Sequence, residues 1–256
     1  MQSLDLISSL RIKAPGDVRG AAEAFRDGVL EMTNLKVAAC HNIAVKEPMV
    51  DAEGDILASE VFGWPCSSSS WWQTPRLALD SPMTTACRYE SEPFWMNALG
   101  IHSHCPNPFL AGIDLSNFEL RAKTRAAIVV PVHLPFGQIG AVSFNPIDDV
   151  THDLSPQFEK FGDELGVLAR TFISGYVQVM CRAQRLPASS KLSKREVECL
   201  RWAAVGKTDL EIGLIMSRSR ATIRFHIHNA SVKLNAVNRS QTVFKAAQLG
   251  YIAMTA

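Results

Sequence analysis

The sequence predicts an α+β fold: an amino-terminal α/β/α sandwich around a central antiparallel sheet, then a separate all-α carboxyl-terminal domain of four helices in helix-turn-helix order. Three observations carry this. Two strand-like runs, 126–134 and 138–145, meet at Pro135-Phe136-Gly137, as a short antiparallel hairpin would. A long apolar stripe of helical period follows Ser155. Four short helical patterns, each opened by a capping residue, fill Leu192 to Ile252.

Taken in order, Asp17 to Met32 reads as a helix, Leu35 to Val45 and Ile56 to Gly63 as strands, and about Ser67 to Leu99 as helical segments. After the hairpin, Ser155-Pro156 supplies an N-cap and first-turn pair. Phe158, Phe161, Leu165, Leu168, Phe172, Tyr176 and Val179 then recur at steps of three and four, a stripe that belongs to a core or a dimer seam. Pro187 and small polar residues break the period between Ala183 and Lys191. The expected organisation is therefore a domain over 1–182, a linker over 183–191 and a second domain over 192–256.

In that second domain, Ser193 and Glu196 have the spacing of a capping box, and Thr208 and Glu211 repeat it. Val197, Leu200 and Trp202 form the first apolar set, stopped at Gly206; Leu210, Ile212 and Ile215 form the second, ending near Ser217. Ser219 caps a third helix running from Arg220 to about Leu234, in which Ile223, Ile227, Ala230 and Leu234 bury one face. A fourth, capped around Asn238 to Gln241, carries Val243, Ala246, Ala247 and Leu249 and closes at Gly250. Arg220, Ala221, Arg224, His228 and Ser231 are left on the opposite face of the third helix. Guanidinium donors and small residues together suit a major groove.

Charge separates the two halves. Residues 188–256 hold eleven Lys and Arg against four acids, a net +7, so the chain's overall +1 leaves −6 for the remainder. A basic tail on an acidic body points to a polyanion partner for the tail alone. A length of 256 residues with 47% apolar content suffices for two domains. No apolar run approaches the ~20 residues of a membrane helix, and no signal layout opens the chain; the expectation is a soluble, cytoplasmic protein without membrane contact. Cysteines 40, 66, 87, 105, 181 and 199 show no paired spacing, which fits reduced thiols.

The aromatic residues Trp64, Trp71, Trp72, Tyr89, Phe94 and Trp95 crowd one stretch, with Asp80 among them. Indoles supply apolar walls and N–H donors, so this stretch is either plain core or the lining of a small-molecule pocket. His102-Ser103-His104-Cys105 lacks structural-zinc spacing, and no metal or cofactor is expected. No Gly-x-Ser-x-Gly, P-loop or dinucleotide fingerprint occurs, and no residue is nominated as catalytic. An enzyme domain fused to a DNA-binding tail is the alternative of a different class.

The tail segments Leu192–Leu200, Gly206-Lys-Thr, Glu211-Ile212, Thr222–His226, Lys233-Leu234 and Asn238-Arg239-Ser240 closely resemble the DNA-binding domain of LuxR-type bacterial transcription regulators. The resemblance implies a signal-responsive, double-stranded-DNA-binding homodimer. Its recognition helix would start at Ser219, and the last helix would help to dimerise the domain. Candidate DNA contacts are Lys207, Thr208, Arg218, Arg220, Thr222, Arg224, His228 and Lys233. More weakly, Val130–His133, Gly137–Ser143 and Pro93-Phe94-Trp95 resemble the family's autoinducer-binding domain. That implies a small hydrophobic signal such as an N-acyl homoserine lactone, with Trp71, Trp72, Asp80, Tyr89, Trp95 and Ser143 as candidate ligand residues. Two departures stand out: Asp80 and Pro82 are separated by Ser81, and Ser67 or Ser68 stands where the lactone-binding Trp is expected. A serine lacks the indole N–H, so an aromatic or plant-derived signal, or action without ligand, stays open.

Overall fold

The computed structural model describes residues 3–45, 47–65, 80–181 and 191–253. The chain divides into two compact units, Met1–Leu134 with Gln138–Arg182, and Ala183–Ala256 with Pro135–Gly137.

In the first unit, α1 (Ser3–Ser9) and α2 (Val18–Thr33) lead into β1 (Leu35–Cys40). The turn between α2 and β1 is made by Asn34, in the left-handed region at φ 57°. Then come α3 (Leu57–Glu60), α4 (Pro82–Ala86), β2 (Phe94–Asn97), β3 (Gly100–Ser103), α5 (Phe118–Ala122), β4 (Ala126–Leu134), β5 (Gln138–Pro146) and α6 (Ser155–Met180). The five strands form one antiparallel sheet in the order β1-β5-β4-β2-β3. Because side chains alternate across a strand, each strand feeds two cores. Val37, Trp95, Ile128, Val130, Val142 and Phe144 pack with α2 and α6 residues such as Phe25, Leu165 and Phe172. Phe94, Met96, Ala127 and Val129 pack on the other face with Ala86, Phe118 and Ala122. The sandwich expected from the sequence is thus present.

Several local expectations are corrected. Ile56 to Gly63 is no strand: Ile56 makes an isolated bridge with Val50, and Leu57–Glu60 forms a helical turn that buries Leu57. The strand from Leu35 ends at Cys40 rather than Val45. Phe94–Asn97 is a strand, not helix, because it completes the pairing of β4 on one side and receives β3 on the other. Ser155 is the first residue of α6 rather than its cap, and its amide donates to Asp153 Oδ1 at 2.9 Å. The helical expectation over 67–79, with Trp71 and Trp72, lies outside the described residues.

The second unit contains α7 (Lys194–Ala204), α8 (Asp209–Ile215), α9 (Arg220–Lys233) and α10 (Arg239–Gln248). Ser193/Glu196 and Thr208/Glu211 make complete capping boxes. Ser219 and Asn238 cap singly, and Gln241 accepts from Val237 N rather than returning to its own cap. Leu200, Ala230, Leu234 and Ala246 form one small core; Cys199, Ile212, Ile223 and Ile227 form another. Leu210 and Ile215, read from sequence as core, are exposed, since a seven-residue helix presents only one narrow face to its neighbours.

Candidate functional site

One face of the sheet opens into a cavity of about 370 Å³. Strand alternation selects its floor: Ala38 and Cys40 from β1, Val129 from β4, and Ala141, Ser143 and Asn145 from β5. Ala58, Trp64 and Pro65 make one wall, and Ser81, Met83, Thr84 and Cys87 another. Trp64 is held by donation from Nε1 to the carbonyl of Val37 at 2.5 Å. Burial pushes the Cys40 and Cys87 thiols up to about 12, so both stay neutral and behave as small apolar surface. Asn145 donates from Nδ2 to the backbone oxygen and Oγ of Ser143, each at 3.1 Å. The Ser143 hydroxyl, already accepting, can turn its own proton toward the cavity. An apolar chamber with a few fixed polar groups is the usual form of a small-molecule site.

Of the expected ligand residues that are described, Ser143 lines this cavity and the others do not. Trp95 belongs to the opposite face, buried in the α6 core and stacked on His102 with ring centroids 4.4 Å apart. Its neighbours Phe94 and Met96 face the cavity side instead. Tyr89 is exposed and stacks on Phe109, while Asp80 is exposed and its backbone oxygen accepts from Arg121 Nε. Sequence reasoning missed Thr84, Lys123 and Asn145. Asn145 was legible as the residue two beyond Ser143 on the same face of a strand; Lys123 was not, because only the fold carries the end of α5 to the cavity. His104, the other histidine of the His-Ser-His-Cys run, stacks on Phe158 at 4.4 Å.

In the second unit, Gly213 allows the tight turn between α8 and α9: a Cβ there would lie 2.7 Å from the Arg218 backbone oxygen. Ser219 Oγ accepts from Thr222 N at 3.1 Å and opens α9. Arg220, Ala221, Arg224 and His228 are then exposed together along one face. Ser231 leaves that face, bonding Ile227 O at 3.0 Å and Thr242 Oγ1 at 2.7 Å. Thr222 is half-buried, with its hydroxyl 2.8 Å from Ser219 Oγ. Thr208 is occupied as the cap of α8, and Arg218 is exposed just before the α9 cap. Lys207 is half-buried, its carbonyl accepting from Arg239 Nη2 at 2.6 Å, and Arg239 also pairs with Asp209. Lys233 does not reach outward: its Nζ lies 2.8 and 2.9 Å from the two carboxylate oxygens of Glu196. Glu196 is buried, which raises its pKa, yet the Lys233 bond and the Ser193 amide outweigh burial and hold it below its ordinary value.

This arrangement has known counterparts. Residues 190–246 match the family described as bacterial regulatory proteins, luxR family. The carboxyl-terminal unit carries a LuxR-family domain. The chain is 35% identical over 128 residues to the transcriptional activator protein VanR of Vibrio anguillarum, covering 50% of this chain and 52% of that protein. It is 32% identical over 123 residues to the transcriptional activator protein LuxR of Aliivibrio fischeri, covering 48% of each. The aligned part thus spans about half the length of these curated relatives. A crystal structure of Escherichia coli SdiA has the same fold, with a TM-score of 0.52, 20% identity and coverage of 98% of this chain and 97% of that one. The relatives of the LuxR-family domain are transcription regulators, not enzymes.

Proposed function

We propose that the chain is a signal-responsive transcriptional regulator of the LuxR type, a cytoplasmic homodimer that binds double-stranded DNA. The observation carrying this reading is the outward face of α9 (Arg220–Lys233), where Arg220, Ala221, Arg224 and His228 share one exposed surface behind a rigid Ser219 cap. Arg224 can donate two parallel hydrogen bonds to guanine O6 and N7, and the small Ala221 lets the helix seat deeply. Arg218 and Arg220 beside the helix start, with Lys207, supply phosphate contacts. The exposed Val232, Val237 and Phe244 give the same unit an apolar surface for a second copy. The sheet cavity takes a small hydrophobic signal, with Ser143 as one polar anchor. An acyl homoserine lactone would enter without the carboxylate of Asp80 or the indole of Trp95 beside it.

In-vitro selection from random duplexes with the full chain tests the DNA arm. The expected product is a two-fold symmetric motif; enrichment of no sequence over random duplex at physiological salt overturns the reading. Arg224→Ala should flatten base preference at one position of each half-site, by about 1–3 kcal/mol of discrimination.

A further inference from the structure

The sheet cavity is apolar, and the one charged residue in its described lining is Lys123. Lys123, at the carboxyl end of α5 (Phe118–Ala122), lines it and is set in the left-handed region at φ 59° with its amide donating to Glu119 O. Lys36 of β1 stands directly opposite Asn145 of β5, on the same strand face as the lining residue Ala38. Its ammonium lies 6.0 Å from the ring of Trp64, another wall residue. Among the described residues neither lysine has a carboxylate partner, and no acid lines the cavity. Asn145 is buried, donates its Nδ2 to Ser143, and leaves the Ser143 hydroxyl as a donor toward the chamber. The carboxylate that would accept an acyl amide N–H, Asp80, is exposed and absent from the lining.

We propose that the cavity takes an amphiphile with a carboxylate head, its apolar body in the chamber and its head at the Lys36/Lys123 side with the Ser143 hydroxyl as a further donor. This rests on the cavity being a signal site, as proposed above. A carboxylate accepts charge-assisted hydrogen bonds from ammonium and hydroxyl groups, which a neutral lactone or alcohol cannot match. The chamber between Ile43, Met83, Val129 and Ala141 offers the body only dispersion and release of water.

Calorimetric titration of the full chain with decanoate, 1-decanol and N-octanoyl homoserine lactone at pH 7 tests this. Decanoate should bind most tightly, with affinity falling as salt rises. Lys123→Met should weaken decanoate by about threefold and the double Lys36→Met, Lys123→Met variant by about tenfold, with 1-decanol unchanged within about twofold. Equal or tighter binding of either neutral compound, or no response of decanoate to the double variant, overturns the head-group inference and leaves the signal site intact. Binding of none of the three compounds overturns both. Circular dichroism of the double variant separates lost binding from lost fold.

Discussion

At the residue scale, Lys233 is the informative case. Its charge and position on α9 read from the sequence as a phosphate contact, whereas in the fold it neutralises Glu196 of α7 at 2.8 Å. Glu196 is buried and also holds the Ser193 amide at 2.7 Å, so removing its partner leaves an uncompensated carboxylate. Lys233→Ala should therefore destabilise the carboxyl-terminal unit by about 3 kcal/mol, read by urea denaturation; a change under about 0.5 kcal/mol would return Lys233 to the class of free surface charges. The pH dependence follows from the lowered pKa of Glu196. A depressed carboxylate contributes its full stabilisation above its ordinary value of 4.5, and that contribution fades as acid carries the pH down through the lowered folded value. Denaturation midpoints of the wild type should therefore decline below about pH 4.5 more steeply than those of Glu196→Gln. Trp95 makes the converse point. It was an attractive ligand residue in a Pro-aromatic-Trp segment, but it is core: Trp95→Phe should leave signal affinity unchanged while lowering stability.

At the scale of elements, the helices of the carboxyl-terminal unit were legible because their start signals are local. A side-chain oxygen three residues ahead of an amide needs no distant partner, and Ser193, Thr208, Ser219 and Asn238 all cap where the sequence placed them. The short strand Phe94–Asn97 was not legible, since four residues carry no clear period and its state is set by β3 and β4 on either side. Ile56 to Gly63 failed for the same reason: an apolar run of that length fits strand and helix equally until something packs against it. The turn between α8 and α9 offers a sharp test. Gly213→Ala would drive a Cβ to 2.7 Å from the Arg218 carbonyl, a backbone atom that cannot swing aside. The substitution should cost about 2 kcal/mol and lower the thermal midpoint of that unit by roughly 8–16 °C, whereas Ser219→Ala should cost about 1 kcal/mol. Equal effects of the two would mean that the turn is looser than its geometry.

At the scale of the whole molecule, the two units carry opposite net charge, and the function proposed above gives each its own ligand. A signal held only by the folded amino-terminal unit should raise that unit's stability by ~2.7 kcal/mol at a hundredfold excess over its dissociation constant. In a calorimetric scan with a bound amphiphile, the first unit's transition should move up while the intrinsic stability of the LuxR-family domain stays fixed. The DNA arm should show the steep salt dependence of phosphate contacts, and Arg218→Ala should reduce the slope by about one.

By itself, the sequence determined the two-domain plan, the sandwich, the four capped helices and the identity of α9 as the helix with a polar outward face. These follow from short-range rules: caps, periods of 3.6 and 2, and a break at Pro187. Only the tertiary structure decided which polar residues are free to bind. Lys233, Ser231 and Thr222 are taken up by partners on other helices or by the α9 cap. Trp95 turns to the other side of the sheet, and Lys123 and Asn145 line one chamber from elements distant in the chain. The physical reason is that a strand sends successive side chains to opposite faces. A register error of one residue, invisible in a motif, therefore exchanges core for cavity.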